Sequence, residues 1–314
     1  MLPLLESNPS FSAGQSGLQI AWDSTSMGAL KKCPRFYQLS IIEGWAPRQE
    51  SVHLRFGILY HSALEKYHRA RTDGMDYETA VRLTVRWVMC ETWNHELNRP
   101  WSTEDPNKNR YTLVRSIVWY LEKYKDDPFT TILLADGKPA VELSFRLELT
   151  YQSHLTGEAF LLCGHLDRLV DFQDAKYIID AKTTKHFLDD HYFSQFTPDS
   201  QFSTYTFGGE VVYSVPLSGI VADAAQIAVG FTRFERRVIP RNKSQLDEWY
   251  RDLGFWLTTA QMHAKANYWP MNDKACFGCQ YRGICARPPA GRDQWLKAGF
   301  TRRTWNPLAV RGDV

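Results

Sequence analysis

Two short segments concentrate the chemistry of this chain. Gly164-His165-Leu166-Asp167 lies within the apolar run Phe160–Asp171, and Asp180-Ala181-Lys182 closes the run Lys176–Lys182. Side chains two apart on a strand share a face, so Asp180 and Lys182 point together. A simple hairpin register sets Asp167 opposite them. Two carboxylates brought within a few ångströms repel unless a divalent cation lies between them, and hard oxygen donors with room for water suit Mg2+ or Mn2+. An ammonium beside such a cation can orient a water and stabilise charge on a five-coordinate phosphate, which is the machinery of phosphodiester hydrolysis. Gly-x2-Asp and Asp-x-Lys are short patterns that chance produces often, and the alternative for each is a solvated turn residue. Their company strengthens the reading. Gly57-x3-His61-x3-Glu65 places an imidazole and a carboxylate at i and i+4 on one helical face, with Gly57 permitting close approach of another backbone. Gln201-x3-Tyr205 does the same for an amide and a phenol. A lone helical histidine is more often structural, but this one accompanies every other part.

The cysteines form a second constellation. Cys90, in a helical pattern, and Cys163, in an apolar run, read as small core residues. Cys276-x2-Cys279-x5-Cys285 packs three thiols into a short Gly-containing loop, which in a chain with no secretory signal favours a metal over disulfides. A fourth ligand is then needed: Cys33 supplies a thiol just before Pro34, and His263 is a more distant imidazole. Four thiolates suit zinc or an iron–sulfur cluster by ligand type. A lone Cys plus a triplet is less usual for structural zinc than paired CxxC knuckles, which favours iron–sulfur, with zinc and unliganded thiols as the alternatives.

These residues need positioning. Residues 20–130 read as a helical lobe: 52–71 sets Leu54, Ile58, Leu64 and Tyr67 near one stripe, 76–97 opens with Asp76 as cap, and 110–125 is amphipathic. Residues 138–240 read as the core sheet. Val141, Leu143, Phe145, Leu147 and Leu149 alternate with Glu142, Ser144, Arg146 and Glu148 as in a strand, and Phe172-Gln173-Asp174-Ala175 is a hairpin-like turn, so a three-stranded meander is expected. Asp199 caps a short helix at Ser200–Phe207, and strand-like segments follow at 225–231 and 236–240. Residues 244–314 hold a helix at 245–266, opened by Ser244 and Asp247 as a capping box, then the cysteine triplet and a basic tail.

With 314 residues, 44% of them hydrophobic and 14% aromatic, the chain can bury a large core, which excludes disordered, collagenous and low-complexity classes. No apolar run reaches membrane-spanning length, and Met1–Glu6 lacks the pattern of a signal peptide, so a cytoplasmic protein without membrane contact is expected. The net charge of +2 hides an asymmetry: residues 231–314 carry 15 Lys plus Arg against 7 Asp plus Glu, leaving 22 against 28 upstream. Arg282, Arg287, Arg292, Lys297, Arg302 and Arg303, with Tyr281, Trp295 and Trp305 interleaved, form a candidate phosphate-facing and stacking surface whose alternative is a solvated basic face.

Taken in order, Ser24-x-Ser26, Cys33-Pro34-Arg35-Phe36-Tyr37, Gly57-x3-His61, Gly164-x2-Asp167, Asp180-x-Lys182, Gln201-x3-Tyr205 and the cysteine triplet resemble the PD-(D/E)XK superfamily, specifically its RecB-like iron–sulfur nucleases. The same arrangement occurs in AddB subunits and CRISPR-adaptation nucleases. The resemblance implies a single domain over 1–314 with an α/β, restriction-endonuclease-like fold. A mixed central sheet is flanked by helices, and an iron–sulfur clamp joins the N- and C-terminal regions. It implies that His61, Asp167, Asp180 and the Ala181 carbonyl hold Mg2+ or Mn2+, that Lys182 serves catalysis, and that Gln201 and Tyr205 position DNA or the active-site shell. Cys33, Cys276, Cys279 and Cys285 would ligate a [4Fe–4S] cluster, and the role of Glu65 is left open. The expected activity is a metal-dependent DNA nuclease, in its exonuclease form, acting on DNA with a free or single-stranded end in DNA processing, recombination or repair, with protein partners in a larger complex. The alternatives are a non-catalytic iron–sulfur or zinc DNA-binding subunit and a zinc-stabilised adaptor. No Gly-x4-Gly-Lys-[Ser/Thr] phosphate loop is present, so a free-standing nuclease is the nearer comparison.

Overall fold

A computed structural model describes residues 8–310; the Met1–Glu6 segment and Arg311–Val314 lie outside them. Seven strands build the central sheet: β1 (Ala21–Trp22), β2 (Thr130–Thr131), β3 (Val141–Gln152), β4 (Ala159–Phe172), β5 (Ala175–Thr184), β6 (Ile220–Ile227) and β7 (Thr232–Ile239). The main path runs β1-β4-β5-β6-β7, with β2 and β3 also pairing with β4. The expected meander is β3-β4-β5, antiparallel throughout. Between β4 and β5 the two-residue turn Gln173-Asp174 holds both residues at positive φ, 53° and 63°, the twist that matches a tight hairpin. β5 and β6 are parallel, and the crossover between them carries the helix that covers the sheet. The sheet is therefore mixed.

Six longer helices flank it: α1 (Ser24–Lys32), α2 (Val52–Thr72), α3 (Tyr77–Glu91), α4 (Arg110–Lys123), α5 (Ser200–Tyr213) and α6 (Lys243–Ala266). α1, α5 and α6 cover one face, where Ile178, Ile220, Ala222 and Ala224 meet Phe202, Trp249 and Leu253. The α2, α3 and α4 lobe covers the other, where Ala181, Ala225 and Ile227 meet Phe56, Tyr60, Ile117 and Leu121. Alternate residues of β5 and β6 thus feed two cores, so their sequences are apolar almost throughout. Among the described residues no helix is long and apolar enough to cross a membrane.

Several local expectations shift. On α2 the buried stripe is Phe56, Leu59, Tyr60, Ala63, Leu64 and Tyr67, while Leu54 and Ile58 are about half exposed. Two residues are about 200° of helix rotation, so a stripe centred on Phe56 and Tyr60 turns Ile58 outward. The same geometry exposes Cys90, two positions past buried Val88, whereas Cys163 is buried as expected. No atom stands within 4 Å of where a Cβ on Gly57 would lie, so no close approach occurs there. α3 ends at Glu91 because Thr92 caps it and a short hairpin, Trp93–Asn94 with Arg99–Pro100, takes over the chain that the sequence suggested as helix. α5 continues to Tyr213. α6 is opened by Asn242 and Gln245 as its capping box, not by Ser244 and Asp247.

Candidate active site

Asp167 and Asp180 come together where the β4/β5 ladder opens. Paired positions end at Arg168↔Ile179. Leu166 and Leu169, three apart, both join the core under α5, so strict alternation breaks between them and Asp167 leaves the plain register. Its Oδ2 accepts the Ala181 N–H at 2.9 Å, a bond that a regular cross-strand carboxylate does not make. His61, brought by α2, places Nδ1 3.0 Å from the same oxygen. Across from Asp167, between the paired positions Val141↔Arg168 and Leu143↔Leu166, lies Glu142, with φ at +51° and its side chain buried. His61, Glu142 and Asp167 each offer a ligand atom within 4.8 Å of the others, the one such set among the described residues. A histidine and two carboxylates suit a divalent cation of the Mg2+/Mn2+ class, so the donor set fits.

On Asp180 the sequence reading holds in part. Asp180 and Lys182 share a face, but the carboxylate pairs with its neighbour's ammonium, Lys182 Nζ to Asp180 Oδ2 at 2.6 Å, and stands outside the three-donor set. Lys182 Nζ also donates to Gln201 Oε1 at 2.9 Å, and Gln201 Nε2 donates to the Tyr205 hydroxyl at 3.0 Å. α5 can carry this chain so close to the sheet because Phe145 is wedged between two glycines. A Cβ on Gly164 would stand 2.5 Å from its ring, and one on Gly208 of α5 2.3 Å. The glycine of Gly164-x2-Asp167 is thus a packing requirement. Glu65 binds Arg69 at 2.9 Å, and Arg69 donates to the Val141 carbonyl at 2.8 Å, which ties α2 to the residue before Glu142.

Electrostatics follow from this crowding. Burial alone would make His61 harder to protonate, but Asp167 and then Asp180 outweigh it and raise its pKa. Burial pushes Asp167 up, and His61, the Ala181 N–H and Lys182 more than reverse that, holding it below the usual carboxylate range. Asp180 goes the other way: burial, reinforced by Asp167, raises it despite Lys182. Burial would lower Lys182, and Asp180 overcomes this to raise it. Two carboxylates with pKa values pushed apart in one pocket are a mark of acid–base or metal chemistry.

Sequence reading missed Glu142, because strand alternation assigns it to the solvent side and only its positive φ turns it inward. It also missed a buried ionic network directly behind the site. Arg168 contacts His68 at 2.9 Å and Asp127 at 3.0 Å; Arg236 reaches Asp127 at 2.7 Å and Asp223 at 3.0 Å; Tyr120 hydrogen-bonds Asp223.

The four cysteines meet in the fold. Cys33, Cys276, Cys279 and Cys285 line one small pocket, while His263 bonds the Tyr268 carbonyl and does not line it. The Asn272 N–H donates to Cys33 Sγ at 3.2 Å. Protein contacts tie these segments too: Trp45–Pro47 pairs with Phe300–Arg302, and Leu39, Trp45, Tyr281, Ile284 and Leu296 form a separate apolar cluster. This corrects the basic tail. Tyr281 is buried and bonds the Trp45 carbonyl, so it is no stacking surface. Arg292 is spent on the Cys285 and Arg287 carbonyls, Arg302 lies over the Trp45 ring, and Trp305 bonds Asp23.

A solved structure from Eubacterium rectale, named "Putative exonuclease", superposes with a TM-score of 0.51 at 12% identity, covering 92% of this chain and 97% of its own. Another, named SSO0001, covers 64% of this chain and 95% of its own at 11% identity and a TM-score of 0.31. No curated protein matches the sequence. A family match spans residues 24–286, from the start of α1 to just past the last cysteine, and it takes in every residue of the constellation described above: the chain belongs to the PD-(D/E)XK nuclease superfamily.

Proposed function

We propose that this protein is a Mg2+- or Mn2+-dependent deoxyribonuclease of the RecB-like iron–sulfur type, acting in the cytoplasm as an exonuclease on DNA with a free or single-stranded end, in DNA processing, recombination or repair. The observation that carries the reading is the joint placement of a His61, Glu142 and Asp167 donor set and an Asp180–Lys182 pair in one opening of the sheet. A bound divalent cation supplies charge neutralisation at the phosphate and an activated water. His61, Glu142 and Asp167 would hold it, with the Asp180 carboxylate and the Ala181 carbonyl as the further donors that the resemblance implies. Lys182, fixed by Asp180 and Gln201, offers its ammonium to the charge that grows on the phosphate, and Tyr205 keeps Gln201 in place. The four cysteines would carry a [4Fe–4S] cluster. A lone Cys33 joined to the Cys276-x2-Cys279-x5-Cys285 triplet in one pocket supports that reading over the paired CxxC knuckles usual for structural zinc. The test is cleavage of end-labelled single- and double-stranded DNA, linear and circular, with magnesium, manganese or chelator. Degradation from ends that requires the metal is expected; no cleavage under any metal would return the protein to the class of DNA-binding subunits.

A further inference from the structure

We propose that the groove beside the catalytic strand, formed by Phe187, Gln226, Arg233 and Lys123, binds a single-stranded segment of the DNA substrate and holds the edge of an unpaired base in it. This rests on the nuclease reading above and adds to it where the strand lies. The groove has a volume of about 660 Å3, room of the size that small-ligand sites occupy. Its position follows from register. β5 and β6 pair in parallel with Lys182↔Ala224 and Thr184↔Gln226, so Gln226 lies on the Lys182 face of the sheet, one pleat repeat further along. Chain leaving the end of β5 forms the opposite wall with Phe187, Leu188 and Asp189.

Three chemical features point to a nucleic-acid strand. Phe187 is 66% exposed, an open ring at the groove wall of the kind on which unpaired bases stack. Arg233 and Lys123 line the same space as cations for the backbone, Lys123 with its ammonium also on the Phe234 carbonyl at 2.7 Å; of the two acids there, Glu235 is paired with Arg237 at 2.8 Å and Asp189 accepts the Tyr192 N–H at 2.8 Å. Gln226 is the most telling. It is 97% buried, it lines the groove, and its Oε1 has no hydrogen-bond partner. An orphaned buried acceptor is costly, and it persists where a ligand satisfies it. Unpaired bases present such donors on their edges, the exocyclic amines of adenine, cytosine and guanine and the N3–H of thymine. Inside a duplex both faces of a base are covered by its neighbours, so stacking on Phe187 calls for an unpaired base.

The experiment measures binding of labelled oligo(dA), oligo(dT) and blunt duplex without added divalent metal, and cleavage of the same oligonucleotides with manganese as a separate reading. Phe187→Ala should weaken single-strand binding about tenfold while melting like wild type, because the ring is exposed. Arg233→Gln should reduce the slope of log affinity against log salt by about 1. Gln226→Leu should fold, since its Oε1 has no partner to lose, and should weaken single-strand binding several-fold. A wild-type single-strand affinity in Phe187→Ala or in Gln226→Leu, or an unchanged salt slope in Arg233→Gln, overturns the groove. Normal cleavage alongside such a result leaves the nuclease reading standing; groove-dependent binding with no cleavage under any metal sinks that reading and keeps the groove.

Discussion

At the scale of single residues, the site divides into groups that hold and groups that act. Glu142→Gln keeps the side chain's size but removes an anionic donor, so the manganese concentration for half-maximal cleavage should rise about tenfold or more with folding intact. An unchanged metal titration would remove Glu142 from the site. Lys182→Ala should cost about 100-fold or more in cleavage rate, as loss of one preorganised charge does elsewhere, while DNA binding without metal stays near wild type. Tyr205→Phe makes a subtler case, because it loses only the hydroxyl that bonds Gln201; a cleavage rate close to that of Lys182→Ala would show that the chain from Tyr205 through Gln201 is what fixes the ammonium. Part of this site's geometry was legible: Asp180 and Lys182 share a strand face as their spacing implied, and Gln201 bonds Tyr205 one helical turn on, whereas the meeting of His61 with Asp167 was implied only by the resemblance and Asp180 pairs with Lys182 outside the three-donor set. Glu142 was not legible, because a left-handed backbone angle at an acid inside a strand leaves no mark on a hydropathy pattern.

At the scale of elements, the lobe sits on the sheet through buried charge rather than through apolar contact alone. Arg168 and Arg236, with Asp127 and Asp223, join β4, β6, β7 and the α4–β2 connection, and His68 brings in α2, the helix that carries His61. Such networks cost much when one partner is lost, so Arg236→Met, which takes the only cation from Asp223 in this network and leaves Asp127 with Arg168 alone, should destabilise by about 3–5 kcal/mol. His68 gives a pH signature. Burial, then Arg168 and Arg236, hold its pKa well below the ordinary value. The unfolded chain therefore binds a proton near pH 6.5 that the folded one refuses. Its contribution is fully present above that pH and is lost as pH falls toward the depressed folded value, with a limiting slope of about 1.4 kcal/mol per pH unit. Urea melts at several pH values check this: wild type should weaken below pH ~6.5 more steeply than His68→Gln, and parallel curves would contradict it. Sequence reading found the meander because period-two alternation and a two-residue turn are local signals. It missed the network because its members, from His68 to Arg236, meet only after the sheet forms.

At the scale of the whole molecule, the proposed cluster and the protein's own contacts share the task of joining its distant regions. Cys33→Ser should lower iron content, visible absorbance and melting temperature together, whereas Cys90→Ser, at an exposed position, and Cys163→Ser should keep the iron. Full iron retention in Cys33→Ser would remove that residue from the ligand set. The sequence suggested a clamp from thiols alone; the ribbon of Trp45–Pro47 with Phe300–Arg302 was invisible because each piece is too short to carry a pattern. That closure also constrains synthesis. Asn8 and Ser10 bond Trp305 and Asn306, β1 completes its place beside β4 only after residue 162 exists, and the Gly44 carbonyl waits for the Arg303 N–H. On the ribosome residues 8–47 therefore emerge long before their partners, and this closure cannot form until residues 300–306 have been made. The early segments should depend on chaperone protection during translation, and nascent chains arrested before residue 300 should be cut by protease within residues 8–47 while the released protein resists.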